Sequence, residues 1–335
     1  MKTPVFQIYK AGVNLMGSMA PWFLGAGLVD EVGIKNDELT VTVNDEMRRL
    51  PLPRADDVIF PRAGYAETTV SGLGAYKVQR WATGWQPGGA EVMVMTARAV
   101  SYTGEVKAGG IKHYDDTTLG DILGDTAKAA SLTLSIDPEL ADIAIDYALR
   151  WEASPIDFAV RLAGEYGGIV KPGGERLAVV QRGSGKSASG GPLPTINVTR
   201  FGSSGWHIEG EPRPQQGEIA APWQDGGSGQ RKVEKESTGR KGPVHSLIHA
   251  RASRAAAKAA AAAKSRELNM MNASGFFIVE FDPSYSAGAL VRATGFGEGV
   301  DGTWPSERIS TEWSKSAPVL STIDVTAKPE GEGVE

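Results

Sequence analysis

The stretch Ser154–Val180, S-P-I-D-F-A-V-R-L-A-G-E-Y-G-G-I-V-K-P-G-G-E-R-L-A-V-V, decides the fold of this chain. Ser154 has the side-chain oxygen an N-cap needs, and Pro155 suits the first helical position. Asp157 puts an anion in the first turn, where the helix dipole favours it. Phe158, Ala159, Leu162, Ala163 and Tyr166 recur at helical spacing and form one apolar stripe. Gly167 and Gly168 supply the stop. Two short apolar runs come next, Ile169–Val170 and Leu177–Val180, and Lys171-Pro172-Gly173-Gly174 between them has tight-turn composition. A second helix lies earlier in the chain. Asp115-Asp116-Thr117-Thr118 reads as its cap, and Leu119, Ile122, Leu123, Ala127 and Ala130 lie on one side. Together these segments make a small α/β module.

Outward from the module the chain reads as strands. Val5–Ile8, Glu38–Asn44, Thr68–Ser71, Tyr76–Ala82 and Glu91–Val100 show short alternating or continuous apolar runs, with turns such as Pro87-Gly88-Gly89 between them. Six or so strands without intervening helices predict a closed or nearly closed barrel, which removes exposed edges. Val13–Val29 is broken by Gly, Ser, Pro and Trp, so neither a membrane span nor a secretory leader is expected. After the module, Ser184–Pro194 reads as a mobile connection. Trp206–Glu209, Glu218–Trp223 and Arg231–Glu236 read as strands, and Gly239–Ser246 as a hinge. Ser246–Asn269 is an alanine-rich helix whose small side chains let other backbones approach closely. Phe276–Phe281, Leu290–Thr294, Arg308–Glu312 and Leu320–Thr326 form a second β set, and Lys328–Glu335 reads as a disordered acidic tail.

The expected fold class is therefore α+β, mainly β: two β-barrel domains flanking a small α/β module, with one Ala-rich helix. The expected divisions are 1–105 for the first barrel, 106–200 for the module, 201–245 for a linker or β insertion, 246–327 for the helix and second barrel, and 328–335 for the tail. A length of 335 residues suits two or three domains. The 42 glycines and 19 prolines favour a turn-rich β chain over a helical bundle. A net charge of −5 gives no global basic surface for nucleic acid. With no cysteine, disulfides, thiolate catalysis and Cys-ligated metal sites are excluded.

Three motifs in order carry a resemblance: D-T-T-L-G-D-I-L at Asp116–Leu123, P-I-D-F-A-V-R-L-A-G-E-Y-G-G at Pro155–Gly168 and G-E-R-L-A-V-V at Gly174–Val180. They resemble the late control gene D proteins, the baseplate hub of contractile-tailed phages, which are related to the hub part of VgrG in type VI secretion. Pro194–Arg200, the strands of Glu67–Val100 and those of Phe276–Ala327 extend the likeness to about four-fifths of the chain, and it is weakest before Leu39. The resemblance implies a structural, non-enzymatic protein. It would form a homotrimer of two tube-like barrels per chain, a pseudo-sixfold ring adapting the tail tube to the threefold spike. The implied partners are the central spike, tail tube, tape-measure and baseplate wedge proteins, with DNA only as passing cargo. The implied place is the virion baseplate, assembled in the host cytoplasm. Alternatives are the hub of a type VI-like system, tailocin or gene-transfer particle, a baseplate-associated peptidoglycan hydrolase, and a carbohydrate-binding β protein.

The resemblance carries over no catalytic, cofactor-binding or metal-ligating residue, and the motifs that could argue otherwise are weak. Gly183-Ser184-Gly185-Lys186-Ser187 lacks the first Gly of a phosphate loop, where Val180 stands, and a plain β–β loop explains it. His245 and His249 share a helix face on this reading but have neither a third ligand nor a paired Glu. His113 and His207 stand isolated. Asp115-Asp116 reads as a cap, and Asp56-Asp57 sits in a Pro-flanked loop. Arg251, Arg254, Lys258, Lys264 and Arg266 could face DNA phosphates, a neighbouring subunit or plain solvent. Trp206, Trp223, Trp304 and Trp313 read as core or interface anchors.

Overall fold

The computed structural model describes residues 2–35, 37–46, 50–85, 89, 91–99, 109–173, 176–210, 216–270, 273–315 and 317–327. Expectations at Pro87-Gly88, Val100, Gly174 and Lys328–Glu335 lie outside the described residues. The chain is mainly β with five helices among the described residues: α1 (Met16–Met19), α2 (Leu119–Ala129), α3 (Pro138–Ala141), α4 (Pro155–Glu165) and α5 (Arg254–Met270). The α+β class, mainly β, is observed.

Closed barrels are not. Fourteen strands join in one sheet whose path has two open ends, Ser203–Gly210 at one and Val13–Asn14 at the other. The joint is the strand Phe23–Glu31. It pairs antiparallel with Glu38–Asn44 on one side and with Gly302–Ser314 on the other, from Gly25↔Ser314 to Glu31↔Arg308. Hydrogen bonds that could have closed each β unit on itself instead join the two. At this seam a side chain on Gly25 would place its Cβ 2.8 Å from the Trp313 carbonyl oxygen, so the backbones meet only because Gly25 has none. Each β unit still keeps its own core. Ile8, Leu39, Val41, Ile59 and Val78 are buried in the first, together with Trp313 and Phe281 from the distant end of the chain. Ile196, Phe277, Val291, Ile309 and Ile323 are buried in the second.

The module forms as its sequence dictates. The Ser154 hydroxyl accepts the Asp157 N–H at 3.1 Å and donates to the Asp157 carboxylate at 2.7 Å, a reciprocal cap for α4. Phe158, Ala159, Leu162, Ala163 and Tyr166 all fall in the core, and Phe158 and Leu162 each contribute about 2 kcal/mol of burial. Gly167 ends the helix at φ +78°, the left-handed region. Two local readings are corrected. Asp115 and Asp116 belong to the strand Lys112–Thr118, and Thr118 is the residue that caps α2, accepting from the Asp121 N–H. Lys171, Pro172 and Gly173 continue the strand Gly168–Gly173. It is an edge strand, so the missing proline N–H costs no ladder bond.

Helix α5 starts at Arg254, eight residues later than its alanine content suggests, because Val244–Ser246 instead adds a parallel strand beside Glu218–Ala220. The expected hinge at Gly239–Ser246 thus ends in a paired strand. Alanines on two faces hold α5 between neighbours. Ala256 packs into the module core, and Ala257 and Ala261 pack against Ile219 and Ala221 of the three-stranded sheet. The Ser184–Pro194 connection is bonded to itself, with Ser187 N–H donating to the Gly191 carbonyl at 2.7 Å.

Candidate functional site

Three parts of the chain meet at one polar cluster. Lys171, on the edge strand of the module, donates to Asp30 at 2.5 Å and to Asp37 at 3.0 Å. Asp30 is the last but one residue of the seam strand, and Asp37 directly precedes the strand Glu38–Asn44. From the second β unit, the Ala287 N–H and the Ser286 hydroxyl donate to Asp30 at 2.8 and 3.3 Å. The Glu31 N–H donates to Asp37 at 3.1 Å. One ammonium therefore ties both β units to the module. Burial, and then the neighbouring Asp30 charge, push the Asp37 carboxyl up to about 6 against the opposing pull of Lys171. Burial lowers the Lys171 pKa, but the two carboxylates outweigh it and leave that pKa raised. The cluster lines a cavity of about 320 Å³, with Tyr76 and Asp282 also in its wall. Nothing in the sequence marks it, because Asp30, Asp37 and Lys171 are far apart in the chain and each reads as turn or strand material.

The seam has a second, apolar signature. Trp313 packs on Phe6 and edge-on to Phe281, each with ring centroids 5.1 Å apart, and Tyr65 donates its hydroxyl to the Phe281 carbonyl. Outside the seam, aromatic residues crowd the unpaired edges. Phe201 is fully exposed just before the terminal strand Ser203–Gly210, and Trp206 on that strand is 38% exposed. Beyond Lys77, the outer side of the strand Tyr76–Gly84 pairs with no strand among the described residues, and Trp81 and Trp85 stand exposed there.

The residues that sequence motifs single out do not converge. Lys186 of the G-S-G-K-S stretch pairs with Glu139 at 3.2 Å, and turns rather than a helix come after it. His245 lies in a strand and His249 in the bend after it, so the expected shared helix face does not exist. His113 is not isolated: its Nδ1 lies 2.9 Å from the Tyr147 hydroxyl, while His207 lies on the open edge strand. Asp56 pairs with Lys77 at 2.9 Å and Asp57 with Lys10 at 2.5 Å. Arg251, Arg254 and Lys264 pair with Glu165, Glu234 and Glu267, which engages three of the five basic residues of that run inside the protein. Trp304 and Trp313 are core residues, and Trp206 is a surface one. Among the described residues, no group of three or more His, Asp or Glu side chains is placed to hold a metal ion. No helix among them is long and apolar enough to cross a membrane.

No family model matches the chain. It is 25% identical over 221 residues to a probable baseplate hub protein of Escherichia phage P2, a match covering 66% of this chain and 56% of that protein. The chain thus spans about half the length of the curated relatives it matches. A tail protein from Neisseria meningitidis MC58 superposes with a TM-score of 0.69 at 12% identity, covering 97% of this chain and 96% of that one. The Escherichia coli c3393 protein, a component of the type VI secretion system, superposes with a TM-score of 0.54 at 10% identity, covering 98% and 78%. The resemblance carried by the three sequence motifs holds: in sequence the chain is similar to phage baseplate hub proteins, and in fold to phage tail and VgrG-related proteins.

Proposed function

We propose that this chain is a structural hub protein of a contractile phage tail, working as a trimeric ring that joins the tail tube to the central spike. The observation that carries the reading is the seam. The strand Phe23–Glu31 locks the first β unit to the second through seven paired residues, Gly25 to Glu31, so each chain presents two β units in fixed relation. Each would form part of a tube-like wall, and each has unpaired strand edge to offer: Ser203–Gly210 at the end of the sheet in one, and the outer side of Tyr76–Gly84 beyond Lys77 in the other. An unpaired edge bearing exposed aromatic residues favours pairing with another chain. Joining one edge of a copy to the other edge of the next is a heterologous contact, which closes into a ring when the rotation allows. Three copies with two units each give six wall segments around a lumen.

On this reading the mechanism is mechanical and geometric, with no catalytic residue and no cofactor. The ring would template the tail tube above and seat the spike below, and the lumen would pass tape-measure protein and later DNA. Wedge proteins would contact its outside. The place of action would be the virion baseplate, assembled in the host cytoplasm. A type VI-like hub shares the geometry, and the likeness to the type VI component in fold keeps that machine as the second reading. The divisions expected from the sequence serve as working units, 1–105 for the first β wall and 246–327 for the helix and second wall, with Ile196–Thr199 and Ser203–Gly210 from the intervening 106–200 and 201–245 joining the second wall. Immunogold labelling of an epitope-tagged chain in isolated tails tests the role. Label at the spike end of the tube is expected, and label spread along the tube or absent from particles would overturn it.

A further inference from the structure

We propose that the cavity bounded by Asp30, Asp37, Tyr76 and Asp282 is a binding site for a basic side chain, lysine or arginine, presented by a neighbouring protein. Its charge is the first observation. Three carboxylates, Asp30, Asp37 and Asp282, line the cavity against one ammonium, that of Lys171. Lys171 is already shared between Asp30 and Asp37, so the site is left net negative in a partly dehydrated place.

The second observation is independent of charge. Tyr76 is 3% exposed and lines the same cavity, yet its hydroxyl has no hydrogen-bond partner among the described residues. The hydroxyl opens on the cavity and can accept from an ammonium or guanidinium N–H entering beside Asp37. The cavity volume of about 320 Å³ falls at the lower end of ligand sites and is far larger than a bare ion needs. Leu28 lines it as well and gives an aliphatic stem something to lie against. A metal ion fits less well, because Lys171 occupies the space between the two nearest carboxylates and Asp282 is held by the Ser284 N–H and hydroxyl.

The inference goes beyond the hub reading and is tested on the isolated chain. Agmatine, a guanidinium on a four-carbon stem, and n-butylamine are titrated by NMR at pH 7.5, with KCl at equal ionic strength and MgCl₂ as controls. Saturable millimolar binding of agmatine is expected. It should weaken about threefold or more in Tyr76→Phe, which keeps shape and folding, and about tenfold in Asp37→Asn. Perturbation no larger than that from KCl, tighter binding of Mg²⁺ than of agmatine, or unchanged agmatine binding in Tyr76→Phe would each overturn the site. A chain that forms trimers yet ignores agmatine would lose this site and keep the hub role. A monomer that binds agmatine would do the reverse.

Discussion

Tyr65 donates its hydroxyl to the carbonyl oxygen of Phe281 at 3.1 Å, a buried hydrogen bond across 216 residues of chain. The first β unit thereby holds the second at a point away from the paired seam strands. Tyr65→Phe leaves the Phe281 carbonyl buried without this donor. The loss should be about 1–2 kcal/mol in urea unfolding, with the midpoint lowered and the slope unchanged. An unchanged midpoint would mean that the carbonyl is satisfied another way.

Trp313 should be the costliest single truncation at the seam. It is 3% exposed and touches Phe6 and Phe281, so Trp313→Ala is expected to lose about 3–5 kcal/mol. Its indole N–H is buried without a partner among the described residues. Trp313→Phe removes that unpaired donor and should cost clearly less than alanine. Equal losses in the two variants, measured by chemical denaturation, would contradict this partition.

Asp37 makes part of the stability depend on pH with a definite sign. Its carboxyl is raised from 3.8 to about 6, by burial first and Asp30 second, so the folded chain holds a proton there that the unfolded chain releases near pH 4. This contribution is fully favourable below about pH 4 and is lost as pH rises through about 6. At about 1.4 kcal/mol per unit, the span is on the order of 3 kcal/mol. The difference in stability between the native chain and Asp37→Asn should therefore change between pH 4 and pH 6.5 and stay flat above. A difference constant over that window would refute the assignment.

Legibility in the sequence divides along local and long-range chemistry. The α4 stripe, its Ser154 cap and the Gly167 stop are readable because residues within one turn specify them. The strand Glu38–Asn44 is readable to its bounds because its alternation faces one core. Phe23–Glu31 is not, since F-L-G-A-G-L-V-D-E has two glycines and no clean alternation. Those irregularities are what a strand paired on both sides at close approach requires. The ion cluster is invisible for a related reason: the charges of Asp30, Asp37 and Lys171 mean something only once three separate units fold together. Residues 246–253 read as helix because they adjoin the alanine run of α5, whereas pairing of Val244–Ser246 to Glu218–Ala220 overrides helix propensity at the start of that stretch.

Gly167 joins the local and the long-range. A Cβ there would sit 3.2 Å from Ala263 Cβ of α5, and φ is +78°. Gly167→Val should lose about 2 kcal/mol, from strain in the left-handed region together with displacement of α5. Gly164, with open space around it, should tolerate alanine without loss. Thermal unfolding of the two variants side by side separates the effects, and equal melting temperatures would contradict the packing account.

Two β units locked by the Phe23–Glu31 seam should assemble as a threefold ring. Light scattering of the purified chain, alone and with a co-expressed candidate spike, measures this most directly. A mass of three chains, or a monomer that becomes three chains with the spike, is the predicted result. A stable monomer in both samples that cleaves cell-wall sugar or peptide would contradict it.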